Sequence, residues 1–163
     1  MHRACLMSVS RLKTEDIRIF SDAAGAFFEQ STRKRAAVRT AYLMESADLV
    51  IWDDYQGLIE LQGRFQGSVG FSAPRALLTL VLLLMGERDY SDASHRDIVG
   101  EIANQMSGYA RRHFGDAMEI SPPRVLTERP APVVPPPHSF PFVIPLAWER
   151  YEAHLVVSMQ PKG

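Results

Sequence analysis

The sequence predicts a mixed helix-and-strand domain. Three observations carry this reading. Apolar residues recur at helical spacing in three separate segments, the period falls to two over 36–72 and again in the last third, and glycine-containing connections fold one strand-like stretch into a hairpin. At 163 residues, with 46% hydrophobic and 23% charged content, the chain is long enough for one domain with a substantial core.

The elements follow in order. Residues 1–13 are expected to form a flexible N-terminal tail and 14–160 a single domain. Thr14, Glu15 and Asp16 supply an N-cap and acidic first-turn residues. Ile17, Phe20, Ala24, Phe27 and Phe28 then recur at helical spacing, which predicts a first helix over 14–31. The basic run Arg33-Lys34-Arg35 reads as a solvated helix end that complements the helix dipole. Val38, Thr40 and Tyr42 suggest one strand and residues 49–52 another. Asp53 to Gly57 is expected to turn, and 58–63 with 65–71 to pair as a hairpin. Ser72 is expected to cap a second helix, with Pro74 in its first turn, that ends near Gly86. Its apolar run from Ala76 to Met85 is interrupted by Thr79 and is too short to cross a bilayer. A polar link, 90–94, leads to a third helix over 94–114, stopped by Gly115. Further strands are expected at 118–120, 124–127, 139–144 and 152–159. Between them Pro130 to Pro137 holds five prolines and reads as a stiff surface loop.

Composition and motifs exclude several function classes. A formal net charge of −1 favours neither nucleic acid nor an anionic membrane as partner. Cys5 is the only cysteine, so no intrachain disulfide can form, and a cytoplasmic location is expected. The N-terminus has no apolar stretch of signal-peptide length. His2, His95, His113, His138 and His154 show no metal-ligand spacing, and His95 reads as a core or cap residue. Asp53 and Asp54 beside Trp52 read as turn formers, so no intrinsic metal or cofactor is expected. Phosphate-binding glycine loops, the dinucleotide fingerprint and the Gly-x-Ser-x-Gly elbow are all missing.

The third helix carries the one chemically suggestive pattern. Asn104 is the only asparagine in the chain and stands inside a helical run, where asparagine is a poor choice. At about 100° per residue, Asp97, Gly100, Glu101, Asn104 and Gly108 fall within about ±60° of one another. Ile98, Val99, Ile102, Ala103, Met106, Tyr109 and Ala110 take the opposite arc. Each glycine costs such a helix about 1 kcal/mol relative to alanine, which gains nothing unless another molecule must come close. The amide of Asn104 is neither a base nor a nucleophile, but it can hold a water in line with an electrophile. Glu101, one turn away, can grip a cation on the substrate. With no phosphate or magnesium site visible elsewhere, the substrate must bring that equipment, which implies a protein. Glu101 and Asn104 are therefore the candidate catalytic pair, and Asp97, Gly100, Gly108 and Arg111 the candidate docking face.

From Tyr55 to Leu126 the chain resembles the CheX-type members of the CheC/CheX/FliY chemotaxis phosphatases. The likeness rests on the 57–70 hairpin, Asp97-x-x-Gly100-Glu101-x-x-Asn104 with Gly108, and Ile120-Ser121-Pro122-Pro123 leading into a strand. It implies an α+β fold, a largely antiparallel sheet with three main helices packed on it, often as a homodimer. It further implies a phosphatase of two-component signalling that dephosphorylates a CheY-like receiver. By that resemblance Glu101 docks to a receiver lysine, Asn104 places the hydrolytic water, and the Mg2+ sits on the receiver. The first helix carries no second Glu-x-x-Asn, as in one-site CheX and unlike two-site CheC. Gln105 and Tyr109 depart from the family's usual Met and small or amide residue, and the proline-rich loop is atypical. The second reading is a non-catalytic receiver-binding or flagellar-switch-type scaffold.

Overall fold

The computed structural model of the chain describes residues 14–44, 53–127 and 141–161. The N-terminal tail with Cys5, the strand expected over 49–52 and the proline-rich loop lie outside the described residues. Helix α1 (Thr14–Thr32) is followed by two short strands, β1 (Ala37–Val38) and β2 (Tyr42–Leu43). The hairpin β3 (Tyr55–Gly63) and β4 (Phe65–Ala73) leads to α2 (Arg75–Leu84) and α3 (Asp92–Phe114). A 3-10 turn (Gly115–Ala117) precedes β5 (Met118–Ile120), β6 (Arg124–Leu126), β7 (Phe142–Trp148) and β8 (Tyr151–Pro161).

The eight described strands form one antiparallel sheet in the order β1-β7-β8-β4-β3-β5, with β2 also on β7 and β6 also on β3. Three helices pack on this sheet, so the fold is α+β. The cross-strand row Gly57, Phe71, Leu155, Ile144 and the next row Ile59, Val69, Val157 alternate toward the helices. Apart from Gly57, their side chains join Phe20, Phe27 and Phe28 of α1 and Ile102, Ala103 and Met106 of α3 in one core. Each large side chain fully buried there contributes about 1.5–3 kcal/mol. Gly57 sets how closely α3 lies on β3. A Cβ at that position would stand 2.5 Å from the Val99 carbonyl oxygen, so only glycine lets the helix backbone come down onto the strand.

Several local expectations are corrected. Ser72 does not cap α2: it lies in β4 with its hydroxyl accepting from the Asp53 amide (2.9 Å). The helix starts after Pro74, and Asp54 Oδ2 accepts from the Arg75 amide (2.8 Å) to satisfy that orphan donor. The expected 53–57 turn is shorter, because β3 already begins at Tyr55. The single strand expected across 38–42 is two short strands on β7. β7 does not stop at Ile144 but runs through Pro145 to Trp148. The basic run after α1 does end the helix in solvent, with Arg33 left-handed at φ 62° and Arg35 3.4 Å from Glu29. Among the described residues no helix is long and apolar enough to cross a membrane.

Candidate active site on helix α3

Helix α3 is well specified at both ends. Ser91 Oγ accepts from the Ser94 amide (3.2 Å), and Gly115 ends the helix at φ 80° after a basic last turn of Arg111, Arg112 and His113. Its inner arc is buried: Ile98, Val99, Ile102, Ala103, Met106 and Ala110 face the sheet and α1. Asp97, Glu101 and Gln105 are exposed, and Asn104 and Gly108 are half-buried. The structure thus brings Asp97, Glu101, Asn104 and Gly108 together along one accessible strip.

On that strip Gln105 Nε2 donates to Glu101 Oε1 at 2.9 Å, holding one carboxylate oxygen one turn from its own backbone. A carboxylate has about four acceptor sites, so the group keeps capacity for a further donor. The side-chain amide of Asn104 makes no hydrogen bond to another described residue. A Cβ at Gly108 would meet nothing within 4 Å, so this glycine lies open.

Gly100 is a correction to the docking face. It is buried, and a Cβ there would lie 3.4 Å from Val125 Cγ2 and 3.5 Å from Pro123 Cβ. Its small size lets β6 and the residues before it close over the flank of α3. Arg111 is exposed but partly committed, since its Nε donates to the Met118 carbonyl (2.9 Å) and ties β5 to the end of the helix.

A second cluster, not foreseen from the sequence, fixes the start of α3. Tyr55 Oη donates to Asp92 Oδ1 (2.6 Å) and accepts from Arg75 Nη1 (2.8 Å). Arg96 donates from Nε to Asp92 Oδ2 (2.8 Å) and from Nη2 to Thr127 Oγ1 (3.1 Å). The hydrogen bonds from Tyr55 and Arg96 hold the Asp92 carboxyl below the usual carboxylate range. Burial, reinforced by the bond to Asp92, pushes the Tyr55 phenol above its ordinary value. The Asp92 to Arg96 spacing was the available signal, but only the fold brings Tyr55 and Arg75 to it. His95 is buried as expected of a core or cap residue, stacked on Tyr55 at 5.7 Å, with Nδ1 donating to the Ser91 carbonyl and Nε2 paired with Thr79. Asp53 Oδ2 lies 3.7 Å from His154 Nδ1, and Asp54 caps α2. Among the described residues no group of three or more His, Cys, Asp or Glu side chains could hold a metal ion.

The stretch containing β3, the hairpin turn, α3 and the strands after it is the part that matches a known family. Residues 55–147 match the family model of the chemotaxis phosphatase CheX. The chain belongs to the CheX family. No curated protein matches it. Solved structures share its fold at low identity. A CheC-like superfamily protein from Shewanella sp. PV-4 aligns with a TM-score of 0.78 at 19% identity, over 91% of this chain and 99% of that one. The CheX of Vibrio vulnificus aligns with a TM-score of 0.77 at 19% identity, over 90% and 100%. The CheX of Borrelia burgdorferi, solved as a CheX–CheY–BeF3–Mg2+ complex, aligns at 0.72 and 15% identity, over 91% and 99%.

Proposed function

We propose that this chain hydrolyses the aspartyl phosphate of a response-regulator receiver domain, acting in trans from the accessible strip of α3. The observation that carries the reading is Asn104, an amide on that strip, one turn from Glu101, with no hydrogen bond to another described residue. In the reaction a water oxygen attacks phosphorus in line, the bond from phosphorus to the aspartyl oxygen breaks, and the carboxylate leaves. The water proton goes to the phosphate product. Asn104 takes no proton; its carbonyl oxygen and its NH2 group fix the direction of the water. Glu101 receives a lysine of the receiver through a charge-assisted hydrogen bond. Mg2+ on the receiver neutralises the phosphoryl oxygens.

Family membership supports a phosphatase of chemotaxis type. The Borrelia complex supports a CheY-like receiver as the partner class, because beryllofluoride on a carboxylate copies the shape and charge of a phosphoryl group. The test follows the decay of phosphorylated receivers from the same organism with and without the chain. Acceleration is expected. Asn104→Ala should then lower kcat by about 10²-fold, the loss of one positioned transition-state hydrogen bond. Glu101→Ala should act mainly on KM. No acceleration of any receiver overturns the hydrolase reading, and tight binding without turnover puts the scaffold reading in its place.

A further inference from the structure

Beside the Glu101–Asn104 strip a shallow groove runs between α1 and α3. Ala23 and Phe27 of α1 form part of its floor, and Gln30, Gln105, Tyr109 and Arg112 bring polar groups to it. Arg112 is exposed and lies about 20° round the helix from Glu101, three turns further on, so both side chains leave the same side of α3. Its guanidinium sits over the Tyr109 ring, 5.1 Å from the centroid. It has no ion pair among the described residues, as is true of most of the described arginines, and the ring and groove beside it set it apart. A cation held on a ring, lining a groove with two amide-bearing side chains and with no carboxylate paired to it among the described residues, can receive an anion. The planar fork of arginine suits a carboxylate.

We propose that this groove is the second contact of the docked receiver, with Arg112 taking an Asp or Glu side chain from the receiver surface. The inference rests on the receiver reading of α3 and adds its specificity. The strip then carries a two-point charge address: Glu101 for a cation beside the phosphorylated site, and Arg112 for an anion about 16 Å along the helix at 1.5 Å per residue. Gln105 belongs to both points, because it lines the groove and donates to Glu101. A receiver with a basic or apolar residue at the second point is rejected by an unpaired charge, not by lost contact area.

The test measures binding of the full chain to receivers of the same organism loaded with BeF3 and Mg2+, alongside turnover of the phosphorylated forms. Arg112→Glu should raise Kd and KM by at least about tenfold, as like-charge juxtaposition at an interface does. It should leave kcat within about twofold, since Arg112 touches no reacting atom. Arg112→Lys should restore part of the affinity lost in Arg112→Glu, keeping the charge without the planar fork, and the dependence of Kd on salt should flatten in Arg112→Glu. Should that variant fail to fold, Arg112→Gln carries the same measurement with the stem retained. Unchanged Kd and KM in the charge-altered variants overturn the groove contact while the phosphatase reading stands. Wild-type binding without turnover overturns the phosphatase reading alone, and the groove is still judged by the Kd of the variants. A wild-type chain that binds no receiver overturns both.

Discussion

Gly108 separates what helix stability asks of a residue from what docking asks. In an exposed helix interior, glycine is about 1 kcal/mol worse than alanine, and at Gly108 an added methyl would meet nothing. Gly108→Ala should therefore stabilise the free protein by about 1 kcal/mol in urea unfolding. If α3 enters a partner's active site, the same methyl stands in the contact, and affinity for a BeF3-loaded receiver should fall. Greater stability with unchanged affinity would remove Gly108 from the docking surface. The helical wheel was enough to place Glu101, Asn104 and Gly108 on one accessible strip, because their azimuth follows from local geometry alone. It could not tell that Gly100, at the edge of that arc, lies under Pro123 and Val125. That contact joins residues far apart in the chain, and periodicity carries no information about it.

Between elements the decisive tie is the cluster of Tyr55, Asp92, Arg75 and Arg96, which joins the first turns of α3 to β3, α2 and Thr127, the residue after β6. Its two shifted groups set opposite pH limits. Asp92 has a lower pKa folded than unfolded, so its contribution is complete above the ordinary carboxylate value and is lost as pH falls through the folded value. Tyr55 has a higher pKa folded, so its contribution is complete below its ordinary value of 10.0 and is lost as pH rises through the folded one. In urea midpoints across pH, Tyr55→Phe should be less stable than wild type near neutrality. It should also lose the specific fall above pH 10.0. A variant with the wild-type pH profile would show that the cluster does not hold α3. The hairpin β3–β4 was legible in the sequence because its glycines and alternation are local. The reach of β7 was not, since proline normally ends a strand. Pro145 is tolerated because its carbonyl, which accepts from the Arg39 amide, points to the side of β1 and β2. Its missing N–H points the same way, away from β8, so the bond forgone is the reciprocal one to Arg39 and the β7–β8 ladder is intact.

Over the whole molecule, the candidate site is the convex side of a helix and not a cleft, and this limits what can be a substrate. Small ligands are held where a concave site buries most of their surface, roughly 70–90% for a drug-sized one. The strip of α3 offers the Asn104 and Gln105 amides and the Asp97 and Glu101 carboxylates to a molecule that approaches it, and carboxylates repel a free phosphate. A helix, a hairpin and a patterned strip could be read from the sequence because each is local; the strand order that leaves this side of α3 uncovered by the described residues depends on pairings such as β4 with β8, set by contacts across the chain. The consequence is testable with acetyl phosphate, which has the same acyl phosphate bond as a phosphorylated receiver but no protein around it. In the presence of Mg2+, its decay followed by phosphorus NMR should be the same with and without the chain, whereas a phosphorylated receiver should decay faster. On the proposed reading the receiver supplies the metal, the lysine and a pocket that orients the phosphoryl group, and α3 adds the docking carboxylate of Glu101 and the water clamp of Asn104. Acceleration of acetyl phosphate decay that Asn104→Ala abolishes would mean that the chain holds a complete site of its own, and delivery of Asn104 in trans would then be the wrong account of the reaction.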